Sequence, residues 1–118
     1  MAACRVLVAD DDDVLRETLA EILRLEGYQV EVARDGLQAV LSATRLRPSV
    51  LLLDMRMPII DGWEVARQLA AYGVDVPILV MSAAVDPAAA ARDIAAEGWL
   101  DKPFKLDQLL PAIDRLCT

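Results

Sequence analysis

Asp10, Asp11, Asp54, Ser82 and Lys102 are the side chains best suited to do chemistry, because each stands at or just beyond the end of a short apolar run. Two carboxylates about 4 Å apart repel by roughly 4 kcal/mol at an effective dielectric near 20. Asp10, Asp11 and Asp54, if gathered at one place, therefore call for a cation. Oxygen donors without histidine favour Mg²⁺ over zinc, and the chain has no histidine. A carboxylate beside Mg²⁺ can attack phosphorus. Phosphoryl transfer requires charge on three equatorial oxygens to be neutralised, and Mg²⁺, Lys102 and the Ser82 hydroxyl would each take one. The product, an aspartyl phosphate, is a mixed anhydride that hydrolyses readily and suits a timed signal.

The elements needed to gather these groups are legible. Arg5–Ala9 reads as a buried strand, with Asp12 or Asp13 capping the next helix. In that helix Leu15, Leu19, Ile22 and Leu23 fall at helical spacing, and Glu26-Gly27 stops it. Tyr28–Ala33 alternates as a second strand. Gly36 precedes a helix with Leu37, Val40, Leu41 and Thr44 on one face. Residues 50–53 are apolar at consecutive positions, as in a parallel strand covered on both faces. After a loop over Met55–Asp61 come a helix from Trp63 to about Tyr72 and a strand over Pro77–Met81. Asp86-Pro87 opens a helix through the alanine run. Trp99-Leu100 is a short fifth strand, and Leu106–Leu116 a last helix that Pro111 would kink or delay. Strands and helices in alternation predict an α/β fold, one parallel sheet with helices on both faces. Ligands bind beyond the carboxyl ends of such strands, where all five singled-out side chains would meet.

The 118 residues fit one domain, 1–118. A net charge of −7 disfavours direct nucleic-acid binding and adsorption to anionic membranes. No apolar stretch is long enough to span a bilayer, and a soluble cytoplasmic protein is expected. Cys4 and Cys117 lack metal-site spacing and are expected to be two reduced thiols rather than a disulfide.

The residues Val6-Leu-Val-Ala-Asp-Asp-Asp12, Leu53-Asp-Met-Arg-Met-Pro58 with Asp61-Gly62, Ser82-Ala83 and Lys102-Pro-Phe104 together resemble the signatures of response-regulator receiver domains of two-component signalling. They occur in the family's order over essentially the whole chain. The resemblance implies a flavodoxin-like, doubly wound five-stranded sheet of order 2-1-3-4-5 with five helices, a strand order given for receivers in general. It implies Asp54 as phosphoacceptor, Asp10 and Asp11 as the acid pair holding Mg²⁺, and the Arg56 backbone carbonyl as a further metal ligand. Ser82 matches the switch hydroxyl, Lys102 the phosphate-binding lysine and Trp99 the switch aromatic. It also carries the expectation of a cis Lys102-Pro103 bond. A histidine kinase or phosphotransfer protein would donate the phosphoryl group. A downstream effector would read the face of the fourth helix, fifth strand and fifth helix. Arg56 and Ala84 would flank the path of attacking water and modulate dephosphorylation. Trp99 stands where a smaller aromatic is more usual, and Lys105 where an acidic cap is common.

Plainer roles compete with these. Asp12 and Asp13 are better suited to helix capping than to metal binding. Met55, Met57 and Met81 are expected to pack, and Trp63 to be a core or edge residue. The rival functions are a Mg²⁺-dependent phosphohydrolase with Asp54 as nucleophile, a flavin module and a degenerate partner-binding receiver. Arg56 occupies the position where such phosphatases carry a second aspartate. Asp10–Asp13 would repel a flavin phosphate, and the complete acid set with Ser82 and Lys102 opposes degeneracy.

Overall fold

The computed structural model describes residues 4–83 and 85–117, so Ala84 lies outside the described residues. The elements are β1 (Arg5–Ala9), α1 (Asp13–Leu25), β2 (Gln29–Ala33), α2 (Gly36–Leu46), β3 (Val50–Asp54), α3 (Gly62–Ala71), β4 (Ile78–Ser82), α4 (Pro87–Asp93), β5 (Gly98–Asp101) and α5 (Leu106–Cys117). All strand pairs are parallel, in the order β2-β1-β3-β4-β5. This is the doubly wound, flavodoxin-like arrangement that the family resemblance implied.

The period-2 geometry of a strand sorts consecutive apolar residues to opposite faces. Leu7, Leu51, Leu53 and Val80 join the core built with α2, α3 and α4. Val6, Val8, Leu52 and Met81 join the core built with α1 and α5. Each central strand therefore needs apolar residues at every position, and burying both layers fixes its register.

Helix ends follow local chemistry. The Asp12 carboxylate accepts from the N–H groups of Val14 and Leu15 at 3.0 and 3.1 Å, capping α1 as expected. At the far end Gly27, at φ +95°, lets its own N–H reach the Arg24 carbonyl and that of Tyr28 reach the Leu23 carbonyl. This is a Schellman stop. Gly73, at φ +69°, does the same for α3. Helix α4 stops sooner than the alanine run suggests. Ala95 adopts φ +53°, and the N–H of Ala96 bonds to the Ala91 carbonyl. The turn lets Ile94 and Ala96 pack on the core. Helix α5 continues through Pro111, which is exposed.

The expectation for the cysteines fails. Cys4 and Cys117 are not separate thiols but are joined as a disulfide, with Cα atoms 5.6 Å apart. That separation is ordinary for such a bridge. Its cause is packing: α5 lies on the layer containing Leu23, Leu109 and Ile113, and both cysteines border that layer. The start of β1 and the end of α5 thus become neighbours across 113 residues.

Candidate functional site

The carboxyl ends of β1, β3, β4 and β5 bring the singled-out residues to one rim. Asp10 follows β1 and is fully buried, whereas Asp11 beside it is exposed. Asp54 closes β3 and is 6% exposed, and Ser82 closes β4 at 1%. Asp10, Asp11 and Asp54 each offer a carboxylate oxygen within 4.8 Å of the others'. Lys102 Nζ lies 2.6 Å from Asp10 Oδ2 and 3.6 Å from Asp54 Oδ2. Two of the three carboxylates thus lie against one ammonium.

The remaining contacts hold these groups in place. Asp10 Oδ1 accepts the N–H of Asp12 at 2.9 Å, so the turn into α1 orients the first acid. Asp54 Oδ1 accepts the N–H of Arg56 at 3.3 Å. The Lys102 N–H donates to the Ser82 carbonyl at 2.9 Å, tying the lysine's backbone to the end of β4. Ser82 Oγ accepts the N–H of Val85 at 3.2 Å. The Lys102–Pro103 peptide is cis, as the resemblance implied.

Burial, and next the Asp10 carboxylate, push the Asp54 carboxyl from 3.8 up to about 6; Lys102 and the Arg56 N–H pull it down, and Asp11 adds a further rise. Desolvation and like charge both oppose ionisation. A divalent cation among the three carboxylates would reverse that balance. The donor set is hard oxygen only, one acid is open to solvent, and the chain has no imidazole to compete. This suits Mg²⁺, which keeps several waters. An open cleft of about 600 Å³ adjoins the cluster, bordered by Asp11, Arg56, Met57, Asp61 and Trp63.

The loop after Asp54 is tightly held. A Cβ at Gly62 would meet Met55 Sδ at 2.5 Å and Met55 Cα at 2.8 Å, so α3 starts against the residue that follows Asp54. Between them Ile59 adopts φ +74°, and the N–H of Ile60 donates to the Pro58 carbonyl at 2.9 Å. This three-residue turn is strained for a β-branched residue, by about 1–3 kcal/mol.

Other expected residues fall nearby or outward. Asp13 lies in the first turn of α1. Trp99 on β5 is 46% exposed. Trp63 donates from Nε1 to Asp93 Oδ2 at 3.0 Å, bridging α3 and α4. Sequence reasoning missed Arg16. It is 8% exposed and donates to the Asp10 carbonyl at 3.1 Å and to Asp13 Oδ1 at 2.7 Å. Its signal was present: a charge between Leu15 and Leu19 on the helix's inner side, six residues from Asp10.

Comparison with known proteins agrees with this geometry. The response regulator receiver domain family matches residues 6–114. Response regulator MprA of Mycobacterium leprae is 46% identical over 114 residues, covering 95% of this chain and 50% of that protein. The chain thus spans about half the length of the curated relatives it matches. The Vibrio cholerae chemotaxis protein CheY4 superposes with a TM-score of 0.87 at 31% identity, over 98% of this chain and 99% of that one. Response regulator protein TrrA of Thermotoga maritima, solved in complex with Mg²⁺-BeF, superposes at 0.85 with 31% identity over 96% of this chain and 98% of that one. With the family matched over residues 6–114 and the parallel sheet in the order of its solved relatives, this chain belongs to the receiver domains of two-component response regulators.

Proposed function

We propose that Asp54 is the phosphoacceptor of a Mg²⁺-dependent switch. The observation that carries this reading is Lys102 Nζ, reaching Asp10 and Asp54 from across the sheet at 2.6 and 3.6 Å with Asp11 beside them. A carboxylate oxygen of Asp54 attacks phosphorus. The bond to the donor's imidazole nitrogen breaks, and that nitrogen keeps the electron pair. Lys102 and the Ser82 hydroxyl meet two of the equatorial oxygens. Asp10, Asp11, Asp54 and the Arg56 carbonyl would hold Mg²⁺, which supplies positive charge against the carboxylates and the phosphoryl group.

The donor is the phosphohistidine of a histidine kinase or phosphotransfer protein, met in the cytoplasm. The chain catalyses only its own phosphorylation and dephosphorylation, and substitutions at Arg56 and Ala84 change the second rate. Ser82 exchanges the Val85 N–H for a phosphoryl oxygen, drawing on the start of α4. Trp99 turns with it. The face formed by α4, β5 and α5 is thereby presented differently to an effector. This is a population shift driven by contacts that exist only with the phosphoryl group in place.

Incubation with Mg²⁺ and acetyl phosphate, followed by intact mass, tests the assignment. One phosphoryl group is expected on the wild type and none on Asp54→Asn. Equal labelling of the two proteins would overturn it. So would labelling that is unaffected by a metal chelator.

A further inference from the structure

The phosphoryl chemistry leaves the Cys4–Cys117 disulfide unused. Its two cysteines join the entry of β1 to the last turn of α5, at the opposite end of β1 from Asp10. Both are half-buried, so a small reagent can approach them. Cys4 is held firmly, its carbonyl accepting the N–H of Gln29 at 3.0 Å. Cys117 lies in the last turn of α5, and helix ends fray. One sulfur is thus carried on the sheet and the other on a helix end. A bond between them removes the freedom of the second.

The site is also connected to the rim. Helix α5 begins at Leu106, four residues after Lys102. Constraint on α5 is therefore constraint on the segment that delivers the ammonium to Asp10 and Asp54.

We propose that Cys4 and Cys117 form a reversible redox site whose co-reactant is a small disulfide such as oxidised glutathione, and that closing it clamps α5. One cysteine thiolate attacks a glutathione sulfur, forming a mixed disulfide and releasing one glutathione thiolate. The second cysteine thiolate attacks the protein sulfur of that mixed disulfide and releases the other glutathione. Two protein thiols are oxidised, one glutathione disulfide is reduced to two thiols, and the two protons pass to the released thiolates. In a reducing compartment such bridges are transient and sensory. The consequence for signalling rests on the phosphoacceptor reading above: the bridge opposes any rearrangement of the α4–β5–α5 face, giving the switch a second input.

The full chain is equilibrated in glutathione buffers of rising oxidised fraction, alkylated and weighed. The expected result is passage from two alkylated cysteines to none, reversed by reduced glutathione without denaturant. Hydrogen exchange in the last turn of α5 should slow about tenfold in the bridged form, and in Cys117→Ser, which can go no further than a mixed disulfide at Cys4, that exchange should show no redox dependence. The exchange change that Mg²⁺-beryllofluoride produces in α5 should be smaller in the bridged form than in the reduced one. The proposal is overturned if no bridge forms at any ratio. It also falls if the bridge resists reduced glutathione, or if α5 exchanges equally in both forms. A reduced protein that ignores beryllofluoride would instead remove the phosphoacceptor reading and the signalling coupling, while alkylation and exchange still decide the redox site.

Discussion

Burial, and next the Asp10 carboxylate, push the Asp54 carboxyl up to about 6, so its ionised form is depleted as conditions turn acidic. Ionising it in the folded protein costs free energy that the unfolded chain does not pay. For a raised carboxyl the sign is fixed: native stability falls as pH rises from about 4 to about 6, and the loss is complete above that. Two results should follow. Phosphoryl uptake from acetyl phosphate in saturating Mg²⁺, followed by mass, should decline on acidification with a midpoint below about 6, because the bound cation favours the ionised carboxyl. In metal-free buffer at pH 7.5, Asp54→Asn should be the more stable protein by urea unfolding. Linkage sets a ceiling of about 3 kcal/mol. Solvent reaching the pocket through the open cleft lowers the expected gain to about 2 kcal/mol. Arg16 belongs to the same scale. Its buried guanidinium donates to the carbonyl of Asp10, so the first acid is oriented from its backbone as well as from its side chain.

Three helices end in the same hydrogen-bonding pattern, but only two of them advertise it. Gly27 and Gly73 take the left-handed position after α1 and α3, and a glycine there is readable in a sequence. Ala95 takes it after α4. An alanine among alanines carries no such mark, so the run reads as helix to its end. The same logic yields a prediction. The left-handed conformation costs an L-residue roughly 1–2 kcal/mol, so Ala95→Gly should raise stability by about 1 kcal/mol. Gly73→Ala should lower it by about as much. Both are measurable by thermal unfolding. The strands and the acidic rim were legible for a sturdier reason. A two-faced parallel strand must be apolar throughout, so the first charge or hydroxyl after it marks the rim. Asp10, Asp54 and Ser82 are all found this way. Arg16 escaped because helix α1 has a strong apolar stripe of its own, and a single arginine inside it looks like an interruption.

At the scale of the whole chain, what the sequence concealed is closure. Cys4 and Cys117 are separated by 113 positions, and nothing in their spacing says that α5 returns to the start of β1. Only the packed layer of Leu23, Leu109 and Ile113 makes them neighbours. In the chain-entropy account a cross-link closing a loop of about 100 residues stabilises by roughly 4.7 kcal/mol. Urea unfolding of the bridged protein should therefore exceed that of the double variant Cys4→Ser, Cys117→Ser by about 4 kcal/mol, and reduction should erase the gap. A gap below about 1 kcal/mol would mean that the unfolded chain is already compact or the native bridge distorted.

The ion pair between Lys102 and Asp10 spans 92 positions, with Asp54 between them in the chain. A ribosome therefore delivers the three acids long before the amine that faces them. The unfinished chain holds Asp54 without its counter-charge, and the pocket cannot assemble until β5 has emerged and taken its place at the edge of the sheet.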